Sequence, residues 1–90
     1  MKNIELIVKG MVQGVFYREG ACKRARELDL KGYVKNERDG SVRIIASGDE
    51  ERLKRFIQWC KKGSETSDVR RVIVTEHKEE EKFADFTIKE

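Results

Sequence analysis

The chain has 90 residues, of which 41% are charged and 38% are hydrophobic, and its formal net charge is +3. This length predicts one domain, residues 1–90, with a single modest core. The small net charge, with cations interleaved among acids, argues against a nucleic-acid partner and fits a small anionic ligand better. The sequence has no apolar run of membrane-spanning length and no basic-then-apolar leader, so we expect a cytoplasmic protein without a membrane partner.

Hydrophobic periodicity predicts strands and helices in the order strand, helix, strand, strand, helix, strand, strand. The predicted strands are 3–9, 30–36, 41–46, 69–75 and 84–88. The first helix is predicted over 19–28. The sequence Ser47-Gly48-Asp49-Glu50 has the form of a capping box, so we expect the second helix to begin there and to end at Gly63. Asp39-Gly40 predicts a hairpin turn between the second and third strands.

This order predicts an α+β fold, a ferredoxin-like sandwich with two helices on one face of a five-stranded antiparallel sheet. The pattern is βαββαβ plus a terminal strand. The first two strands should run parallel with one strand between them, because the crossover through the first helix returns the chain to the same end of the sheet. Asn36, at the end of the second strand, should then lie roughly 10 Å from the end of the first strand.

The turn from Gly10 to Arg18 has the features of an anion site. Gly10 and Gly14 allow backbone conformations that bend successive N–H groups inward, and the N-terminus of the following helix adds partial positive charge. The Arg18 guanidinium can hold a phosphate with two parallel hydrogen bonds. The glycine patterns of nucleotide triphosphatase loops and dinucleotide-binding turns are missing. The residues alone leave open a second interpretation, a tight turn with a solvated Arg18.

The sequence shows no set of residues with the spacing of metal ligands. His77 is the only histidine, and it lies in a predicted charged loop with residues 79–81, which favours a solvated side chain over a base or a ligand. Cys22 and Cys60 have no metal-ligand spacing and are predicted to be reduced, partly buried thiols in the two helices, although a bridge between them is left open. We therefore expect neither a metal nor a cofactor.

Two motifs at the right separation resemble those of the acylphosphatase family. They are Gly-x-Val-Gln-Gly-Val-x-aromatic-Arg at residues 10–18, and Gly32-Tyr33-Val34-Lys35-Asn36 followed by Asp39-Gly40-Ser41-Val42. The resemblance continues to Asp85-Phe86-Thr87-Ile88 and covers nearly the whole chain. It implies an enzyme that hydrolyses the carboxyl-phosphate bond of small acyl phosphates to a carboxylate and inorganic phosphate, by water attack without metal or covalent intermediate.

The resemblance also implies roles for individual residues. Arg18 binds the phosphoryl oxygens and Asn36 positions the attacking water. The backbone amides of a loop cradle the phosphate, and that loop consists of Met11, Val12, Gln13, Gly14, Val15 and Phe16. Since a carboxylate leaves without a general acid, positioning and charge stabilisation are sufficient. A carboxamide suits Asn36 because it both donates to and accepts from water, although Asn36 taken alone is more simply a turn residue.

The sequence departs from the family pattern at two positions that bear on the backbone. Phe16 stands where many bacterial members have glycine, and it narrows the backbone freedom of the loop. Asp29 stands at the common glycine after the first helix, so that cap must use an aspartate in a less comfortable conformation. As partners, the resemblance implies an acyl phosphate substrate, with inorganic phosphate as product and competitive inhibitor. A monomer is expected.

Two alternatives to this enzyme are considered. One is a non-catalytic ferredoxin-like module that binds phosphate or RNA, but the predicted strands lack the aromatic run of RNA-recognition domains. The other is a carbamoyl-phosphate-handling domain like the one at the start of hydrogenase-maturation proteins. Those domains belong to long chains, whereas this chain ends at Glu90, so the acylphosphatase is the expected function.

Overall fold

The computed structural model describes residues 2–77 and 82–90, and these form five strands and two helices. In chain order the elements are β1 (Lys2–Met11), α1 (Tyr17–Glu27), β2 (Lys31–Asn36), β3 (Val42–Gly48), α2 (Glu50–Lys62), β4 (Asp68–Glu76) and β5 (Phe86–Lys89). Every predicted strand and helix is confirmed, and most of the predicted ends differ from the observed ones by one or two residues. Residues 79–81, which were predicted to be solvated, lie outside the described residues.

The strands form a single sheet in the order β4-β1-β3-β2-β5. Since β3 pairs antiparallel with both β1 and β2, those two strands run parallel with one strand between them, as predicted. The prediction of a wholly antiparallel sheet is wrong in one respect, because β5 pairs parallel with β2. The end of β4 lies beside the start of β1, and Asp85 lies beside the start of β2. The chain therefore leaves β4 and enters β5 at the same end of the sheet, which gives β5 the direction of β2.

The start of α2 differs from the predicted capping box. Ser47 lies within β3, where it pairs with Asn3 of β1 and Lys31 of β2, so the strand continues to Gly48. Asp49 is the N-cap instead, and its carboxylate accepts a hydrogen bond from the Arg52 N–H at 2.9 Å. Sheet pairing thus overrides the local sequence signal. The other end agrees with the prediction, since Gly63 ends α2 with φ 76°.

The core lies between one face of the sheet and the two helices. The small residues Ala21 and Ala25 bring α1 close to the strands, and the Phe56 ring of α2 packs edge-on against Phe86 with centroids 5.8 Å apart. Other buried members of this cluster are Ile4, Leu6, Val8, Val34, Val42, Ile44, Ala46 and Leu53. Burial of such apolar area is the main force that fixes the helices on the sheet. Within the described residues, no helix has the length and apolar character needed to cross a membrane.

Both cysteines are free, and both are buried rather than partly buried as predicted. Burial raises the pKa of the Cys60 thiol to about 12. The Tyr17 hydroxyl donates a hydrogen bond of 2.8 Å to the Cys60 carbonyl, and its ring lies 5.3 Å from that of Trp59. These contacts join the first residue of α1 to the last turn of α2. The start of α1 is therefore held by the core.

Candidate active site

Residues 12–16 connect β1 to α1, and the side chains of Val12 and Val15 hold this loop against the core. Val12 is 1% exposed, and Val15 packs against the core from a half-buried position. The Val15 carbonyl accepts hydrogen bonds from Ser64 Oγ at 2.7 Å and from Thr66 Oγ1 at 2.8 Å. The segment that follows α2 therefore supports this loop from behind.

The two glycines of the loop are required by its backbone. Gly10 has φ 131° and lies where β1 shifts register against β4, and a Cβ at this position would collide with the Asp68 carbonyl. Gly14 has φ 72°, with open space around the position of a Cβ. Gly14 is thus needed because its φ is positive. Gly10 is needed for the same reason and because the Asp68 carbonyl lies too close to leave room for a side chain. Both turn the chain as the sequence predicts.

The backbone N–H groups of residues 13–16 find no hydrogen-bond acceptor in the part of the chain that the structure describes. They lead into the N-terminus of α1, where further N–H groups carry partial positive charge. A concavity of about 150 Å³ lies at this point, lined by Val12, Gly14, Phe16, Tyr17, Arg18 and Glu19. Unpaired backbone donors and a guanidinium are groups suited to binding an anion, and the Glu19 carboxylate lines the same concavity.

Arg18 is the second residue of α1, and its side chain is half-buried. Its Nη1 atom lies 3.4 Å from the Lys89 carbonyl of β5, and this is its one hydrogen bond to the described residues. Lys89 pairs with Lys35, the residue before Asn36. The sheet thus brings the Arg18 guanidinium to the end of β2, and most of its N–H groups remain available to a ligand.

Asn36 ends β2 and pairs with Val42. Its side-chain Oδ1 atom is buried and has no hydrogen-bond partner among the described residues. Such an atom is rare in folded proteins because its desolvation costs about 1 to 3 kcal/mol when no partner replaces water. Asn36 also lines an open cleft of about 720 Å³ beside the turn between β2 and β3. An ordered water or a ligand group bonded to this oxygen would satisfy it.

The side chain of Gln13 ties the loop to the turn that follows Asn36. Its Nε2 atom donates to the Glu37 carbonyl at 2.7 Å and to the Ser41 carbonyl at 2.9 Å. Sequence reasoning treated Gln13 only as a backbone donor and missed this connection. The signal was present, because the predicted topology brings the end of the first strand and the end of the second to the same edge of the sheet. A long carboxamide there can join the two.

The turn between β2 and β3 is rigid in its own right. The Asp39 carboxylate accepts hydrogen bonds from Ser41 Oγ at 2.6 Å and from the Ser41 N–H at 2.9 Å. These bonds, the hydroxyl first, lower the pKa of Asp39. The Glu37 N–H also donates to the Ser41 carbonyl at 2.8 Å. The predicted hairpin is confirmed, and it supplies a fixed frame for Asn36.

The predicted site residues fall into two groups. Val12, Gly14, Phe16 and Arg18 line the concavity, whereas Asn36 lines the cleft beside the turn between β2 and β3. The remaining loop residues lie around them: Met11 ends β1, Gln13 turns towards Glu37, and Val15 packs inward. Over residues 2–77 and 82–90, no three side chains of His, Cys, Asp or Glu come together as a group able to hold a metal ion.

Known proteins resemble this chain along its full length. The family model described as Acylphosphatase matches residues 4–88. An acylphosphatase of Shewanella amazonensis is 44% identical over 88 residues, which cover 98% of this chain and 97% of the relative. One from Thermotoga petrophila is 45% identical over 89 residues, covering 99% and 98%. The crystal structure of acylphosphatase from Bacillus subtilis matches with a TM-score of 0.95 and 39% identity, covering 100% of both chains. The chain therefore belongs to the acylphosphatase family.

Proposed function

We propose that Arg18 and the backbone of residues 11–16 hold the phosphoryl group of a small acyl phosphate while Asn36 holds the water that attacks it. The reaction is hydrolysis of the carboxyl-phosphate bond to a carboxylate and inorganic phosphate. One observation carries the assignment of residues. Gly14 and Phe16, whose N–H groups have no acceptor among the described residues, line a single concavity with Arg18 at the N-terminus of α1.

The donors of this concavity match the charge of a phosphoryl group in the transition state. That charge is spread over three equatorial oxygens while the attacking and leaving oxygens lie in line. Backbone N–H groups fixed by Val12 and Val15 need no reorganisation when the charge develops. The guanidinium adds two parallel charge-assisted hydrogen bonds. Binding and transition-state stabilisation thus come from the same atoms.

The water is assigned to Asn36 because its amide can accept one hydrogen bond from the water and donate another to it. The water oxygen forms a bond to phosphorus as the bond from phosphorus to the acyl oxygen breaks. The electron pair leaves with the carboxylate, whose conjugate acid has a pKa of about 4, so no general acid is required. The protons of the water pass to phosphoryl oxygens. Each step uses groups of the substrate or of this chain.

The wider assignment is a single acylphosphatase-like domain over residues 1–90 that acts in the cytoplasm as a monomer, without metal, cofactor, nucleic acid or membrane.

The sheet face opposite the helices argues against the alternative of an RNA-binding module. An RNA-recognition domain presents free aromatic rings there. Tyr33, on that face, is 7% exposed, with Lys89 Nζ 3.9 Å from its ring centroid and the Phe83 ring edge-on at 6.0 Å. A covered ring does not serve as a stacking platform.

Hydrolysis of benzoyl phosphate with and without a chelator tests the proposal. We expect full activity in excess chelator, because positioning and hydrogen bonding do the work that a metal would otherwise do. Strict dependence on added magnesium would contradict this mechanism. Inorganic phosphate should inhibit competitively, since it occupies the same donors as the substrate. Purely noncompetitive inhibition would place the anion site elsewhere.

A further inference from the structure

We infer that Phe16, assisted by Met11, forms an acyl subsite that favours substrates with an uncharged aromatic acyl group over acetyl phosphate. This inference rests on the proposed function, because it concerns the other half of the same substrate. The phosphoryl donors described above recognise only the phosphate. Selectivity among acyl phosphates requires contacts to the acyl group.

The first observation is where the exposed apolar side chains lie. The two most exposed large hydrophobic residues in the described chain are Phe16, at 70%, and Met11, at 63%, and the next are Val74, at 39%, and Ile88, at 37%. Met11 and Phe16 stand at the two ends of the loop that leads to Arg18. In a chain that is 41% charged, a phenylalanine ring left 70% exposed at the concavity that Arg18 also lines is available to contact a bound ligand.

The second observation is the backbone of Phe16, which has φ 63° and ψ 20°. Bulky side chains rarely adopt this left-handed conformation, whereas glycine adopts it freely. Among the described residues, the hydrogen bond that Phe16 makes is through its carbonyl, which accepts the Gly20 N–H at 3.1 Å, and a glycine would supply the same carbonyl. The ring is not among the residues that pack on the core. Strain that the fold does not need is a sign of function.

The third observation concerns the side of the phosphoryl group on which the acyl group lies. Phe16 and Arg18 line the same concavity, and Asn36 is not among the residues that line it. In-line attack sets the leaving group opposite the water. With water on the Asn36 side, the acyl group departs on the side of Phe16. Glu19 lines this concavity too, and its carboxylate repels acyl groups that carry a negative charge of their own.

The test compares kcat/KM for benzoyl phosphate and for acetyl phosphate in the wild type and in variants. In Phe16→Gly the ratio of the two values should fall by about five-fold, the size expected when one aromatic contact is lost. Phe16→Tyr should keep the ratio because it keeps the ring. Met11→Ala should lower the ratio by about two-fold through lost apolar contact. Val74→Ala removes an exposed apolar side chain from β4, away from the loop, and should change neither value.

Three results would overturn the inference. The first is an unchanged ratio in Phe16→Gly, as expected if Phe16 contacts a protein partner instead. The second is an equal loss for both substrates, which would assign Phe16 to the phosphate loop alone. The third is a ratio in Phe16→Tyr as low as in Phe16→Gly. If the wild type hydrolyses neither substrate, the proposed function itself fails. Circular dichroism melting of each variant confirms that folded proteins are compared.

Discussion

The two ends of helix α1 each carry a non-glycine residue in the left-handed conformation, and the two differ in what that conformation achieves. Asp29 follows the helix with φ 58°, and its N–H donates to the Arg26 carbonyl at 3.0 Å. Its carboxylate lies 3.6 Å from Arg52 of α2. Phe16 precedes the helix with φ 63°, and its side chain is largely exposed. Aspartate tolerates this region of backbone space far better than phenylalanine does.

The comparison separates a structural end of the helix from a functional end. At Asp29 the conformation ends the helix and turns the chain towards β2, so the fold gains from it. At Phe16 the same conformation leaves N–H groups unpaired beside the Arg18 side chain. Function at one end and stability at the other should therefore respond to different substitutions. The expected outcomes below test this separation, beginning with the largest effect.

Replacement of Arg18 should have the largest effect. Arg18→Lys keeps the charge but loses the two parallel hydrogen bonds, which costs about 2 to 4 kcal/mol of transition-state stabilisation and lowers kcat/KM by a factor of roughly 30 to 900. Arg24→Lys is the matched control in the last turn of the same helix, where Arg24 pairs with Glu27 at 3.4 Å. Near wild-type rates in Arg18→Lys would contradict its role as the phosphate anchor.

Asn36→Ala should separate binding from chemistry. If Asn36 only orients the water, turnover falls by ~100-fold, the size expected when one transition-state hydrogen-bonding group is removed. The inhibition constant for inorganic phosphate should stay nearly unchanged in Asn36→Ala, whereas Arg18→Ala should both weaken phosphate binding and lower turnover. The test measures the turnover number and the inhibition constant for phosphate in both variants. Loss of phosphate binding in Asn36→Ala as severe as in Arg18→Ala would reassign Asn36 to the phosphoryl group.

Gln13→Leu should show whether the tie between the loop and the β2–β3 turn matters for catalysis. The change removes two hydrogen bonds and leaves two carbonyls without that donor, so we expect a loss of about 1 to 3 kcal/mol in the free energy of unfolding. Turnover should fall by roughly ten-fold as Asn36 and the loop lose their fixed separation. Gln58→Leu, at an exposed position of α2, is the control. A fall in stability with unchanged turnover would make Gln13 a brace of the fold only.

The smallest effect concerns the two left-handed residues themselves. Phe16→Gly should raise the free energy of unfolding by about 0.5 to 1 kcal/mol, because relief of strain exceeds the entropy that glycine adds to the unfolded chain. Asp29→Gly should change it by less than about 0.5 kcal/mol, since aspartate is less strained there and its ion pair is exposed. Urea unfolding measures both. A clear loss of stability in Phe16→Gly would mean that the exposed ring supports the fold.

Much of the candidate site could be predicted because its signals are local. The spacing of Gly10, Gly14 and Arg18 specifies a strand, a turn and a helix start within nine residues, and these features are present in the structure. The periodicity of apolar residues along the chain predicted every strand and helix. Asn36 could be placed at the end of the second strand from the Asp39-Gly40 turn that follows it.

Other features could not be predicted because they depend on contacts between distant segments. The cap of α2 moved from Ser47 to Asp49 because β1 and β2 both pair with Ser47. The parallel direction of β5 follows from where β4 ends. A capping box and a strand pattern report only local preference, and sheet pairing outweighs that preference when several backbone hydrogen bonds compete with one side-chain bond.

The sequence by itself determined the elements, the family motifs and the chemical character of the site, because each depends on residue type and spacing along a short stretch. Only the tertiary structure decided how the two motifs meet. It brought Gln13 onto the carbonyls of Glu37 and Ser41, set Arg18 against Lys89, and left Oδ1 of Asn36 buried with no partner among the described residues. These contacts span 24 to 71 residues of chain. Such distances are closed by burial of the shared core, which no local pattern encodes.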